Sequence, residues 1–220
     1  MGSISTAAFR RIYTLYVLGQ FPAGSYGAKR LQKIAYLPQR LSTIKPFTFV
    51  KHYYGQFSDT LDDIKDQLIT MGYVAALPLD TARVIEFVIN DQSHQLLEGG
   101  NRFFLRDKSQ LAEYARALRA ADPELPGLIQ NAVHQFGFKR EQEIIEYCYA
   151  LPEFQWKAMG DVVVESNVEE RIHLDLSDDE CDDLELSMTP GFVVAMADIA
   201  KAVEASALDP ARIKKLDYLP

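Results

Sequence analysis

The sequence predicts an α+β fold, predominantly helical, with a winged-helix-like N-terminal core and appended helices. Three observations lead there. Apolar residues recur at helical spacing through much of the chain, as in Leu61, Ile64, Leu68 and Met71. Two short runs, Pro46–Tyr53 and Val84–Ile89, are instead rich in the β-branched and aromatic residues that suit a pleated surface. After Ser58 the expected order is helix, strand, turn, strand, the skeleton of a helix packed on a hairpin. At 220 residues, 48% hydrophobic and 11% aromatic, the chain can bury a sizeable core.

The elements follow in order. Ser5–Leu18 reads as a helix with Phe9, Ile12, Tyr13, Tyr16 and Val17 on one stripe, and Pro22, Gly24 and Gly27 then break the chain. Tyr26–Leu37 is a second helix with Leu31, Ile34 and Ala35 inward and Lys29, Arg30 and Lys33 on its flank. Pro38 lacks a backbone donor and clashes one turn back, so this helix should stop or kink there. Pro46–Tyr53 is a strand. Ser58 is placed to cap the next helix, and Asp59, Asp62 and Asp63 crowd its first turn, where the helix dipole favours negative charge. Gly72 supplies the stop.

Tyr73-Val74 leads into a loop containing Pro78; Val84–Ile89 is a strand, Asn90–Ser93 a turn, and His94–Leu97 a return strand before Gly99-Gly100. Asp107 caps a helix with Leu111, Tyr114, Ala115 and Leu118 inward. Asp122-Pro123 opens another, carrying Leu125, Leu128, Ile129, Ala132, Val133 and Phe136 and stopped by Gly137. Arg140–Leu151 follows and ends at Pro152. The acidic stretch 162–186 has no helical stripe, but Val162–Val164 and Arg171–Leu174 suit short strands. Thr189-Pro190 starts a last long helix and Asp209-Pro210 a short one. The expected seam falls near Val162, dividing a winged-helix-like part with its helical extension (1–161) from an acidic segment with C-terminal helices (162–220).

Charge is distributed unevenly. The first 58 residues hold eight basic side chains (Arg10, Arg11, Lys29, Arg30, Lys33, Arg40, Lys45, Lys51) and no Asp or Glu, whereas the whole chain has 23 basic and 31 acidic residues. Between Glu165 and Glu185 ten acids face the single Arg171. Such polarity suggests that the leading segment meets something negative: nucleic acid, an acidic partner, or the chain's own acidic stretch.

Chemistry-bearing patterns are scarce. His52, His94, His134 and His173 lie singly, with no His-x-x-x-His or Cys-x-x-Cys spacing, so no metal site is expected. Phosphate-cradling loops and nucleophile elbows are absent as motifs. Cys148 sits among apolar helical neighbours and reads as an inert thiol; with Cys181 it is too little for a disulfide framework, which suggests reduced thiols and a cytoplasmic address. The acids Asp178–Asp183 lack the glycine and terminal glutamate of an EF-hand loop and read as a solvated turn. Neither an enzyme nor a cofactor is expected. No apolar run is long enough to span a bilayer, and no membrane partner is expected. In a winged helix the helix after Ser58 would enter the major groove, yet its polar face offers Asp62, Asp63, Asp66 and Gln67 against only Lys65. Carboxylates repel phosphate, so that helix is a poor reading head. Contact with a partner would fall to Lys29, Arg30, Lys33, Arg40, Lys45 and Lys51, with His52, Tyr53 and Tyr54 as the aromatic part of the same face.

The run Lys29-Arg30-Leu31-Gln32-Lys33-Ile34-Ala35-Tyr36-Leu37, then Phe49, His52-Tyr53-Tyr54-Gly55-Gln56-Phe57-Ser58, Leu61 and Leu68 to Gly72-Tyr73-Val74, resembles the SocA/Panacea antitoxin-associated domain and the YwgA-like proteins. The likeness covers about Tyr26–Phe104, and EIIEYCYALPEF (Glu143–Phe154) also fits the YwgA-like group. Gln56 stands where the family favours proline, and Pro38 interrupts the first motif helix. The resemblance implies a winged-helix-like scaffold without catalysis that neutralises a toxin by binding it. The expectation is therefore an antitoxin-like interaction protein in a prokaryotic or phage setting. A DNA-binding regulator, with 165–185 shielding the basic face, is the alternative; a nuclease or other hydrolase is a third.

Overall fold

The computed structural model describes residues 1–22, 24–78, 83–89, 92–98 and 101–189. The helices expected from Thr189-Pro190 and Asp209-Pro210, and the turns at Asn90 and Gly99-Gly100, lie outside those residues. The chain is α+β and predominantly helical. A first strand, β1 (Gly2–Ser5), leads into the central helix α1 (Thr6–Gly19), whose N-cap Ser5 accepts the Ala8 N–H through its hydroxyl at 3.3 Å. The expected stripe is buried, but so are Ala8, Thr14, Leu15 and Leu18, because α1 is packed on several sides. It lies against α2 (Ala28–Gln39), α3 (Asp59–Thr70), α4 (Leu111–Ala121) and α5 (Leu125–Phe136). A helix wrapped in this way loses the one-sided pattern of a surface helix.

Three strands close beside these helices: β2 (Ser25–Tyr26), β5 (Val74–Pro78) and β8 (Asn101–Leu105), antiparallel in the order β2-β8-β5. The hairpin β6 (Arg83–Ile89) and β7 (Gln92–Glu98) interrupts the chain between β5 and β8, with Arg83 opposite Glu98 and Ile89 opposite Gln92. The strand at Val74–Pro78 replaces the loop expected there. Pairing to β8 decides it: Val74 opposes Leu105, and both face the core. A second sheet has the order β4-β3-β9, from β3 (Phe49–His52), β4 (Gly55–Phe57) and β9 (Val162–Val164). In the third, β1 pairs with β10 (Arg171–Leu174).

These pairings run across the seam expected near Val162. Strand β9 lies on β3, β10 on β1, and Ile172, Leu174, Cys181, Leu184 and Met188 join the same buried cluster as α1. The charged turn expected at Asp178–Asp183 is part of a helix, α8 (Asp178–Ser187). Ser177 and Glu180 form a capping box at its start, while Cys181, Leu184 and Met188 supply the inward spacing. Pro38 does not end α2 at once; it sits in the last turn, and the helix stops two residues on, at Arg40. Helix α6 (Glu141–Tyr149) and the single turn α7 (Pro152–Gln155) are the remaining helices among the described residues.

Asp122 is the C-cap of α4, not the start of the next helix, which begins at Leu125. Its carboxylate accepts from Ser42 Oγ (2.7 Å), Thr43 N (2.8 Å), Thr43 Oγ1 (2.9 Å) and Glu124 N (3.0 Å), tying the loop after α2 to the α4–α5 corner. Burial works to raise its pKa, but these donors outweigh it and hold the group at about 2. Asp122→Ala removes the acceptor shared by these four donors, of which Ser42 Oγ is buried, and should cost about 3 kcal/mol in urea unfolding at neutral pH. The stabilisation from this carboxylate is present above its ordinary pKa and fades as pH falls towards 2, so wild type and variant should converge in acid.

Candidate functional site

The cations expected to form a sticky face are largely spent inside the molecule. Arg30 donates to the Gly137 carbonyl at 2.8 Å and closes the C-terminal end of α5. Arg40 bonds Glu153, which also accepts from Tyr36 Oη at 3.0 Å. Burial acts to raise the Glu153 pKa, but the Arg40 hydrogen bond and charge bring it below the ordinary value. Lys29 stands 3.6 Å from Glu141 and 3.8 Å above the Tyr54 ring, a cation–π arrangement. Lys45 is partly buried, and its backbone N–H donates to Asn167 Oδ1 at 2.8 Å. Lys51 donates to the carbonyls of Phe154 (3.1 Å) and Lys157 (2.7 Å).

Lys33 is 3% exposed and can meet no partner. Its ammonium donates to the Gln56 carbonyl at 3.0 Å. Burial depresses its pKa to about 8, opposed by Cys148 and Glu141 and assisted by Lys29. Gly55 is needed beside it: φ is +97°, and a Cβ would come within 2.9 Å of Lys33 Cε. Gln32 works next to it. Its amide donates to Ser58 O (3.0 Å) and accepts from Ser58 N (2.9 Å), pinning the start of α3 to α2. The Gln56 side chain points inward, with Nε2 3.0 Å from Cys148 Sγ and Oε1 buried without a partner. The Cys148 thiol is buried and its pKa raised by burial, the opposite of what a nucleophile needs.

What remains accessible is the aromatic end of the β3–β4 hairpin. His52, Tyr53 and Tyr54 are exposed, Tyr53 by 75%. The His52 ring lies 5.6 Å from those of Tyr53 and Phe57, and Tyr149 Oη donates to Tyr53 O at 2.7 Å. Alongside runs a strap, residues 155–162, exposed throughout. Gly160 N donates to Lys51 O, and Lys51 N to Asp161 O, so the strap is laced to β3. It carries Trp156, 89% exposed, together with Met159 and Val162. Sequence reasoning reached the hairpin aromatics but missed the strap. The signal available was the chain's single tryptophan, in a short segment between Pro152 and Gly160.

Comparison with protein-family models, curated proteins and solved structures gives no match. Among the described residues no cluster of His, Cys, Asp and Glu has the arrangement of a metal site. No described helix is long and apolar enough to cross a membrane. On α3, Asp59, Asp63 and Asp66 face outward, and Lys65 is buried against Asp62 (2.6 Å) and Asp66 (3.3 Å). The acidic segment meets other cations than those it was expected to shield: Glu180 pairs with Arg116, and Glu185 with Arg171 at 3.0 Å.

Proposed function

We propose that this chain is a non-enzymatic, antitoxin-like interaction protein on a winged-helix-like scaffold. It takes hold of a partner protein through the exposed aromatic hairpin and the strap beside it. The scaffold reading is supported by element order. Apart from the β3–β4 hairpin inserted between α2 and α3, helices α1, α2 and α3 with strands β2, β5 and β8 follow the succession helix, strand, helix, helix, strand, hairpin, strand, and the sheet order β2-β8-β5 brings first and last strands together. The observation that carries the functional reading is the exposure of Tyr53 and Trp156 on the hairpin and the strap laced to it; among the described residues Phe138 is the other aromatic exposed to this degree, and it lies after α5. Tyrosine and tryptophan are the residues that anchor protein interfaces.

The DNA-binding alternative is opposed by α3. The helix that would occupy the groove presents aspartates, and its one lysine is neutralised in place. The cations Arg30, Lys33, Arg40 and Lys51 serve to fasten elements together, which leaves the aromatics as the contact surface. Two measurements test this. Immobilised wild-type chain should retain one stoichiometric protein from cells that express both, and Tyr53→Ser with Trp156→Ser should release it without altering the thermal midpoint. Tight binding of duplex DNA, weakening steeply with salt and untouched by that double substitution, would overturn the reading.

A further inference from the structure

The charges around the aromatic tip indicate what kind of segment it receives. Lys51 donates to carbonyl oxygens and stands 4.8 Å from the Phe154 ring centre, and Lys157 is exposed; among the described residues neither has a carboxylate within ion-pair distance. Asp161, the acid nearest them in the strap, is occupied in accepting the Ala158 N–H at 2.8 Å, which closes the turn carrying Met159. The exposed Lys157, with the internally held Lys51 behind it, thus makes the surroundings of Tyr53, Trp156 and Met159 locally positive on a chain whose net charge is −8. Strand β9 is an edge strand, but only three residues long, irregular in register against β3, and flanked by Asp161 and Glu165. Those features discourage strand addition, so recognition falls to side chains.

We propose that the tip receives a short acidic segment of the partner protein, bearing aromatic or leucine side chains that lie against Tyr53, Trp156 and Met159 while its carboxylates meet Lys157, with Lys51 keeping its bonds to the Phe154 and Lys157 carbonyls and adding positive potential from behind. The inference rests on the interaction reading above and adds the chemistry of the partner. Single-stranded nucleic acid has the same two attributes, negative charge and flat apolar surface. The surroundings disfavour it. Glu143 and Glu146 are exposed on α6, close by on the hairpin side, and the aspartates of α3 face outward. A long polyanion leaving the tip would run into these like charges, whereas a short acidic segment ends within the cationic patch.

The full chain carries its own probe, since Trp156 is its only tryptophan. Short synthetic peptides sharing phenylalanine and leucine anchors, spaced by aspartate and glutamate in one and by lysine in the other, are titrated at low salt beside oligothymidine. Trp156 emission is followed. The acidic peptide should shift the emission to shorter wavelength and bind about tenfold more tightly than the lysine peptide. Lys157→Glu, a fully exposed change, should remove that preference. Equal binding of both peptides would overturn the charge complementarity and leave the aromatic contact surface standing. Preference for oligothymidine would overturn both this inference and the choice of a protein partner. If no probe moves Trp156 emission, the tip is not the receiving site.

Discussion

Replacing Gln32 with leucine should cost about 3 kcal/mol of stability, a large share of what a domain has in total. Gln32 is a buried residue of α2 whose amide satisfies both the N–H and the C=O of Ser58. Ser58 is itself 2% exposed, so water cannot take over either bond. Leucine has a similar volume and leaves no cavity; the buried Ser58 N–H loses its partner, at about 1–3 kcal/mol, while the Ser58 carbonyl gives up one of two bonds and keeps the Asp62 N–H at 3.2 Å. The damage should be local as well as global. Ser58 caps α3 by accepting the Leu61 N–H, and strand β4 ends at Phe57, so hydrogen exchange at residues 56–61 should accelerate most. Gln32→Glu separates the two bonds, because a carboxylate accepts from Ser58 N but cannot donate to Ser58 O. It should be at least as damaging. A urea midpoint unchanged in Gln32→Leu would show that Ser58 is held by other means.

That bond illustrates what the sequence does and does not carry. Periodicity revealed α3 almost to the residue, since Ser58, Leu61, Ile64, Leu68 and Gly72 act through neighbours on their own helix. Helix α8 was hidden because charge dominates its composition, and only three inward residues mark it. Strand β10 was legible from Arg171–Leu174, but its partner β1, only four residues long, becomes so only when the two are brought together from opposite ends of the described chain. The basic residues misled for a related reason. A count of lysines and arginines is blind to acceptors, and in this fold many of those acceptors are backbone carbonyls at element ends: Gly137 for Arg30, Gln56 for Lys33, Phe154 and Lys157 for Lys51, Pro46 for Arg10. Such oxygens have no signature in sequence, because every residue has one. The absence of acids from the first 58 residues is compatible with this arrangement, in which the leading cations bond carbonyls or, as with Lys29 and Arg40, carboxylates from later in the chain.

Lys33 turns that arrangement into a pH dependence with a definite sign. Its folded pKa of about 8 lies below the 10.5 of an ordinary lysine, so between those values the unfolded chain holds a proton that the folded chain has released. Stability from this group therefore rises with pH through the window and is lost again as pH falls through 8. The gain from pH 7 to pH 9.5 is about 2 kcal/mol. Lys33→Met keeps the bulk of the side chain and deletes the titration. Near pH 7 the variant should be about as stable as wild type, because removing a buried charge offsets losing the bond to Gln56 O. At pH 9.5 wild type should be ahead. The comparison matters because other groups act in the opposite direction: burial raises the pKa of Tyr13, Tyr36 and Cys148, which makes folding less favourable as pH climbs towards their titration. These are common to both proteins, so the difference between their unfolding midpoints isolates Lys33. A difference that stays constant from pH 7 to pH 9.5 would mean that the ammonium keeps its proton in the folded chain, and that the bond to Gln56 O is strong enough to outweigh burial.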